Sequence, residues 1–292
     1  MVYNHIMGHV VLVSSRQHIG EDPELPLIVD ALNRLDVAAS LAVWDDSSVD
    51  WSSFSLAVIR SCWDYPARRA EFLDWARHVP RLANPYDVIA WNTDKRYLQA
   101  LSDNGVSIIP TAWSSRAFAK LGDSRHWVVK PTISASGKDT VIVSSKTAAL
   151  EAASRLGKAG KLAMFQPYVF EIEEYGEFAL IYIDGKRSHS IRKEALLRTS
   201  ELPALRTPDK EPWEAADVSS EAWNLADEVL RVTQTLVSPE QNLLYARIDL
   251  VVRPPDAPVI MEVELAEPTL FLSLRPDAAE TFARAIEKYL RR

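Results

Sequence analysis

The first third of the chain alternates short aliphatic runs with amphipathic stretches. HVVLVSS (9–15) is an aliphatic run that ends in polar residues. In DPELPLIVDALNRL, which follows it, Asp22 can cap a helix and Pro23 can occupy the first turn. VAASLAVW and FSLAVIRSCW repeat the strand pattern, and RRAEFLDWARHV repeats the helical one. This alternation predicts a small, mostly parallel α/β unit over residues 1–92, with ligands at the ends of its strands.

The middle of the chain changes to short strands around one helix. NTDKRYLQALSDNGV predicts a capped helix closed by Gly105, with Lys95 in its first turn, and SIIPTAW predicts a connecting strand. From His126 onwards HWVVKP, TVIVSS and KLAMFQPYV have strand patterns, and TAALEAASRL between them has a helical one. We expect a compact α+β subdomain over residues 93–167.

Two hairpins dominate the last part of the chain, 168–292. In GEFALIYIDGKRSHSIRK the dipeptide Asp184-Gly185 separates two alternating runs, which is a strong hairpin signal. LLRTSELPALRTPDKEPWEAAD is polar and proline-rich and predicts a surface loop, and SSEAWNLADEVLRVTQTLV predicts a helix. YARIDLVVRPPDAPVIMEVELAEPTLFL (245–272) is the second hairpin. The whole pattern indicates a fold of mixed α/β and α+β class.

The second hairpin places three acids among aliphatic residues. If its turn is centred on Pro255-Asp256, the two residue numbers of every cross-strand pair add up to the same value. Alternate side chains along each strand lie on the same face of the hairpin. The predicted pairs are Asp249 with Glu262 and Arg247 with Glu264 on one face, and Ile248 with Val263 and Leu250 with Met261 on the apolar face.

These carboxylates need a compensating charge. Two like charges about 5 Å apart repel by roughly 3 kcal/mol at an effective dielectric near 20. Mg²⁺ prefers one or two carboxylates with room left for substrate phosphates, so a magnesium site is one interpretation of Asp249, Glu262 and Glu264. An exposed hairpin face with solvated acids is the other.

Composition narrows the range of functions. With 292 residues, 47% of them hydrophobic, the chain can form two or three modest domains. A net charge of −7 argues against non-specific nucleic-acid binding. Cys62 is the only cysteine and no apolar run is long enough to cross a bilayer, while MVYNHIMGHVVLV has no basic leader with a cleavage site. We expect a cytoplasmic protein without nucleic-acid or membrane partners, and leave self-association open.

Other polar positions allow two interpretations each. SASGKDT (134–140) is not a Walker loop, because Thr132 and Asp139 occupy positions where that motif needs Gly and Ser or Thr. It can bend over phosphates or be a plain turn. Lys130 at the end of WVVKP either reaches water or faces an anion, and Lys95 alone fits a solvated surface. FQPYV could edge a purine pocket or simply end a strand. In the first hairpin a two-residue turn pairs Glu177 with Arg192, and this cross-strand ion pair can be explained by its structural role alone.

Taken together and in this order, these residues resemble the ATP-grasp superfamily of carboxylate–amine ligases over essentially the whole chain. The resemblance implies a three-domain fold in which an N-terminal parallel α/β domain and two α+β domains clamp a nucleotide. It departs from the family at Glu264, where Asn is usual, and in the glycine-poor loop 134–140. QPYVFEIEEYGEFALIYIDGKRSHSIRK and MEVELAEPTLFL further resemble a bacterial subgroup that includes the ligase closing the ring of D-cycloserine from O-ureido-D-serine.

The resemblance implies roles for particular residues. Lys95 and Lys130 are the two lysines that contact the ATP phosphates, and Ser134, Ser136, Gly137 and Lys138 belong to the loop that closes over them. The adenine hinge is formed by Gln166, Tyr168 and Val169. The acid that binds the ribose is Glu174 or Glu177. The Mg²⁺ ligands are Asp249 and Glu262, with Glu264 adding charge and leaving the number of metal ions open. Arg247 steadies the transferring phosphoryl group, with Lys193 and Arg192 as further contacts.

The activity implied is ATP- and Mg²⁺-dependent C–N bond formation on a small amino-acid-like substrate, through an acyl phosphate. The product is a ring if the nitrogen belongs to the same molecule and a dipeptide-like amide otherwise. Rival functions are a non-catalytic ATP-binding module and a kinase that stops at a phosphorylated product. Substrate should enter near strand ends of the first domain, where the polar residues are Ser14, Ser15, Arg16, Arg60 and Asp64. No histidine evidently partners Cys62, so we expect a buried structural thiol.

Overall fold

The computed structural model describes residues 8–194, 213–253, 256–275 and 277–291, and these contain three β-sheets. The strands are β1 His9–Ser14, β2 Ala38–Val43, β3 Leu56–Ile59, β4 Leu82–Ala83, β5 Trp127–Pro131, β6 Val141–Val143, β7 Ala163–Pro167, β8 Glu177–Ile183, β9 Lys186–Lys193, β10 Trp213–Ala215, β11 Tyr245–Arg253 and β12 Ala257–Glu264. The helices are α1 Glu24–Asn33, α2 Arg69–His78, α3 Tyr86–Asn92, α4 Tyr97–Asp103, α5 Ser115–Phe118, α6 Lys146–Lys158, α7 Glu171–Tyr175, α8 Ser220–Val237 and α9 Ala278–Leu290.

The first sheet is parallel, in the order β2-β1-β3-β4, as the alternation of strand and helix patterns predicts. Its central strand is buried from Val10 to Ser14 because α1 covers one face and the aromatic-rich cluster around Phe72 covers the other. Cys62 is buried in that cluster, which fits a structural thiol, and burial raises the pKa of its thiol well above the usual value.

The middle sheet is antiparallel, in the order β6-β5-β7, and α6 packs against it. Two predictions for this region need correction. Lys95 precedes α4 rather than lying in its first turn, because the chain turns between α3 and α4. SIIPTAW makes only single bridges, from Ile108 to Ile260 and from Ala112 to Phe165, instead of a full strand.

The third sheet is antiparallel, in the order β10-β9-β8-β11-β12. Trp213–Ala215, predicted within a surface loop, forms its edge strand, and residues 196–212 of that loop lie outside the described part of the chain, as do Pro254 and Pro255. β12 forms the opposite edge, where the buried Asn92 side chain pairs with its backbone, donating to Val263 O and accepting from Leu265 N, each at 2.7 Å. Asn92 therefore supplies hydrogen bonds that a further strand would otherwise supply.

Both hairpins contain a bulge that the sequence did not reveal. In the second hairpin the predicted pairs Asp249–Glu262, Arg247–Glu264 and Ile248–Val263 are confirmed. The pair of Leu250 with Met261 is wrong, because the register shifts after Asp249 and Leu250 faces Ile260. In the first hairpin a register shift between Ile181 and Tyr182 makes Glu177 face Lys193 instead of Arg192.

The two ends of the described chain meet. The sequence patterns did not predict α9, which packs on α1 and contributes Phe282 and Ile286 to the core beneath the first sheet. That core also contains Ile181 and Tyr245 of the third sheet, so the first and third sheets share it. The domain boundaries at 92/93 and 167/168 stay a prediction. No helix in the described ranges is both long and apolar enough to cross a membrane.

Candidate active site

A cavity of about 400 Å³ opens between the middle and third sheets, and part of the first domain lines its rim. Its walls come from β5, β7 and the loop 134–140 on one side, and from β9, β11 and β12 on the other. Most residues that the resemblance selected line this cavity; they are Lys95, Lys130, Ser134, Ser136, Gly137, Gln166, Tyr168, Val169, Glu177, Lys193, Arg247, Asp249, Glu262 and Glu264.

The acids of the second hairpin are paired with cations. The guanidinium of Arg247 donates to Asp249, at 2.9 Å from Nε to Oδ1, and also to Glu264. Burial alone would raise the pKa of Asp249, but the charges of Arg247 and Lys193 outweigh it and lower that pKa. The reverse holds for Glu264, where burial dominates and raises the pKa. The alternation of acid and cation explains how the face tolerates three carboxylates.

Glu262 joins the third sheet to the middle subdomain. Lys130 Nζ donates to its Oε1 at 2.7 Å, and Lys95 Nζ lies 3.8 Å from the same oxygen. Burial opposes ionisation, yet the two lysines lower the pKa of Glu262 to about 2. The two predicted phosphate-binding lysines therefore converge on one predicted metal ligand.

Lys193 is a further buried cation of the cavity, besides Lys95 and Arg247. It contacts Glu177, the residue it faces across β8 and β9, and its Nζ lies 3.0 Å from Asp249 Oδ2. Burial raises the pKa of Glu177 to about 7, against the opposing effect of the Lys193 charge. Strand alternation turns Arg192 the other way, where its Nε donates to Tyr175 O at 2.8 Å, outside the cavity lining.

The loop 134–140, which we predict to close over phosphates, turns sharply. Ser136, Gly137 and Asp139 all have positive φ, and Lys95 Nζ holds the loop by donating to Ser134 O at 2.8 Å. Lys138 is exposed and is not among the lining residues.

The predicted adenine hinge begins in β7, continues just beyond its end and lines the cavity. Gln166 is buried and its Nε2 donates to Thr111 Oγ1 at 3.0 Å, while Val169 and Met261 pack against the same apolar cluster. Of the two acids proposed for the ribose, Glu174 is exposed and outside the lining, and Glu177 lies beside Lys193.

None of the predicted substrate contacts of the first domain lines the cavity. Ser14 and Ser15 are buried and bonded to Ser61 and His18, Arg16 is exposed, and Asp64 accepts from Trp44 Nε1 at 3.0 Å. Arg60 is 1% exposed because it pairs with Glu24 at 2.9 Å. Trp63 and Tyr65, neighbours of those residues that the sequence did not single out, line the cavity instead.

Glu267 is a further lining residue that sequence reasoning missed, although the acid is visible in MEVELAEPTLFL. It follows β12 on a loop whose Thr269 carbonyl accepts from Arg247 Nη1 at 3.3 Å. Burial, and then the charge of Glu264, raise the pKa of Glu267 to about 8.

That shift predicts a pH dependence of stability. The folded-state pKa of Glu267 lies above the unfolded value, so the unfolded state ionises first and stability falls as pH rises from about 4.5 to about 8. We expect Glu267→Gln to gain stability over the unchanged protein across this window, by at most about 1.4 kcal/mol per pH unit. Urea unfolding at pH 5, 6, 7 and 8 without ligands measures it. For Glu280→Gln, at an exposed ion pair on α9, the difference in unfolding free energy from the unchanged protein should not vary with pH. The same lack of pH dependence for Glu267→Gln would refute the raised pKa of Glu267.

The carboxylates suit Mg²⁺ in chemistry and position. Asp249 and Glu262 are opposite each other, with Glu264 on the same face, and all three offer hard oxygen donors in the cavity that Lys95 and Lys130 also line. Across the ranges that the structure describes, no three His, Cys, Asp or Glu side chains already converge as a metal site. Their oxygens are held by Arg247, Lys193 and Lys130, so the metal assignment stays a prediction.

Comparison with known proteins agrees with this geometry. A family model described as the D-cycloserine synthetase DcsG, N-terminal domain, matches residues 10–84. The cycloserine biosynthesis protein DcsG of Streptomyces lavendulae is 33% identical over 300 residues, covering 98% of this chain and 100% of that protein. The chain belongs to the DcsG family. The crystal structure of D-cycloserine synthetase DcsG superposes with a TM-score of 0.88 at 31% identity, covering 97% of this chain and 100% of DcsG.

A more distant structure shows the fold beyond the DcsG family. The ATP-grasp ligase PsnB, in a complex with a precursor variant, Mg and ADP, has a TM-score of 0.64 at 15% identity, over 96% of this chain and 98% of PsnB. The predicted ATP-grasp fold of α/β and α+β class is confirmed. Membership of the DcsG family also confirms the predicted activity class, an ATP-dependent carboxylate–amine ligase.

Proposed function

We propose that this DcsG relative closes the ring of D-cycloserine from O-ureido-D-serine, using ATP and Mg²⁺. The observation that carries the proposal is the match to DcsG along nearly the full length of both chains. The charged cavity supports it, because activation of a carboxylate by ATP depends on positioning and charge neutralisation. A cytoplasmic location, suited to a supply of ATP and to the single buried cysteine, is part of the proposal.

The cavity offers separate places for the parts of the nucleotide. Gln166, Tyr168 and Val169 would hold the adenine at one end. Lys95, Lys130 and the loop 134–140 would neutralise and cover the phosphates. Asp249, Glu262 and Glu264 would hold Mg²⁺, which when bound neutralises phosphate charge and polarises the transferring group. The lysines now paired with Glu262 would then turn to the phosphates.

Arg247 and Lys193 would serve the acyl transfer. Both are buried cations that line the cavity, suited to stabilising negative charge on the carboxylate and on the phosphoryl group it receives. The oxygen-bound nitrogen of the ureido group then attacks the acyl carbon, inorganic phosphate leaves, and the ring C–N bond forms. Water removes the carbamoyl group as carbon dioxide and ammonia, which completes the balance.

Phosphate release is the direct test of this function. The purified protein with Mg·ATP is assayed against O-ureido-D-serine, its L-enantiomer and a panel of small amino acids, and the products are analysed by mass spectrometry. We expect O-ureido-D-serine to stimulate release, with one D-cycloserine formed per phosphate, and EDTA to abolish it.

Other outcomes identify the rival functions. A linear amide product would indicate an intermolecular ligase, and a stable phosphorylated compound would indicate a kinase. Tight ATP binding without stimulation by any compound would indicate a binding module and would overturn the proposal.

A further inference from the structure

Glu267 occupies the side of the cavity that faces the first domain. Trp63 Nε1 donates to its main-chain oxygen at 3.0 Å, and Trp63, Tyr65 and Phe271 also line the cavity. Its carboxyl is close enough to Tyr65 for its charge to raise the pKa of that phenol, after the larger effect of burial. The side chain is half-buried at a surface that a ligand can reach.

The order of features along the cavity assigns this place to the substrate rather than to ATP. The hinge residue Val169 packs against the same apolar cluster as Met261, which lies near the middle of β12. Glu262 and Glu264, with their lysine and arginine partners, follow on the strand, and Glu267 lies beyond its end. A nucleotide with its base at the hinge and its phosphates at the lysines leaves Glu267 on the far side of the reacting carboxylate.

The charges of the cavity leave Glu267 without a counter-ion. Asp249, Glu262 and Glu264 each contact a lysine or arginine, and Glu177 contacts Lys193. Glu267 makes no such ion pair with any residue in the described ranges. Lys95 and Arg247 are near enough only to oppose the rise in its pKa, which remains at about 8. A carboxyl in this condition gains more from a small cation than the acids already paired with a lysine or arginine.

We propose that Glu267 binds the α-ammonium group of the amino-acid substrate and thereby selects amino acids over simple carboxylic acids. This inference rests on the proposed function, because it requires a substrate whose ammonium is one carbon away from the carboxylate activated beside Arg247. Trp63, Tyr65 and Phe271 reinforce the site, since an ammonium group is attracted to aromatic faces. One carboxyl among aromatic rings suits an ammonium better than Mg²⁺, which demands several oxygen ligands.

The test compares two substrates in two enzymes. O-ureido-D-serine and its desamino analogue, 3-(ureidooxy)propanoic acid, are assayed for ring formation and phosphate release with the unchanged enzyme and with Glu267→Gln. A hydrogen bond between charged groups predicts that the unchanged enzyme prefers the amino compound by about 10- to 100-fold in kcat/KM. Glu267→Gln should lose that preference through a lower kcat/KM for the amino compound alone, with KM for ATP unchanged. Glu267→Asp should restore part of it.

Controls separate this role from a structural one and from the proposed function. Glu280→Gln removes an equal charge on an exposed face of α9 and should keep the full preference. If Glu267→Gln slows both compounds by the same factor, or if the unchanged enzyme uses both equally well, the ammonium site is refuted while the ring-closing function stands. If the unchanged enzyme forms no ring from either compound, the proposed function fails, and the inference fails with it.

Discussion

Glu262→Gln is expected to lower kcat by about 1,000-fold or more, because one neutral amide replaces the carboxylate on which the site is centred. Glu262 contacts Lys130 and Lys95 and lies opposite Asp249. The amide keeps the size of the side chain but removes both a predicted Mg²⁺ ligand and the charge that holds the lysines in place. Phosphate release at saturating Mg·ATP and substrate measures the effect.

A loss of activity in Glu262→Gln must be distinguished from a loss of folding. Its unfolding midpoint in urea should stay close to that of the unchanged protein, and raising the Mg²⁺ concentration should recover part of the activity if the metal is held less tightly. Glu280→Gln serves as the charge-matched control and should retain kcat. If kcat of the Glu262→Gln enzyme is within tenfold of the normal value, Glu262 is not a metal ligand.

The second large effect concerns stability. Glu24→Gln is expected to lower the free energy of unfolding by about 3–5 kcal/mol, because it leaves Arg60 as an uncompensated buried charge. Glu24 is 3% exposed and pairs with Arg60, and its two oxygens also accept from the amides of Leu270 and Leu272 at 3.0 and 2.8 Å. Arg60 Nη2 donates to Pro268 O at 2.7 Å, so the pair ties α1 and β3 to the loop after β12. Urea unfolding at pH 7 measures the loss.

A double variant distinguishes a buried ion pair from a packing defect. Arg60→Met combined with Glu24→Gln should be less destabilised than the sum of the two single variants, since removing both charges leaves neither of them unpaired. Additive losses would contradict the electrostatic explanation. A loss below about 1 kcal/mol for Glu24→Gln would place the pair among weak surface contacts, contrary to its burial.

The side-chain alternation of β-strands was sufficient to predict most of the pairing in the second hairpin. Side chains alternate with a period of two, so one assumed turn was enough to bring Arg247, Asp249, Glu262 and Glu264 to one face. The rule failed where a bulge changed the count. Glu177 therefore faces the buried Lys193 rather than Arg192, and the structure thereby brings Lys193 to Asp249. Nothing in an alternating run of residues announces a bulge, because it depends on how the neighbouring strands pair.

Contacts between segments far apart in the chain could not be predicted from the sequence patterns. Arg60 lies in the last part of the predicted strand FSLAVIRSCW, which suggested a substrate contact, but its partner Glu24 comes from a helix 36 residues earlier. The approach of Trp63 to Glu267 likewise joins positions separated by 204 residues. Such contacts depend on the packing of the first sheet against the third, which no local pattern encodes.

The shared core beneath the first sheet has a consequence for how the chain is built. Leu25, Ile28 and Leu32 of α1 are covered by Phe282 and Ile286 of α9. A ribosome makes the first sheet and α1 early, yet α9, the helix that shields α1, is made only after the strands of all three sheets. During synthesis the apolar surface of α1 therefore stays uncovered until α9 has been made, and the shared core can close only then.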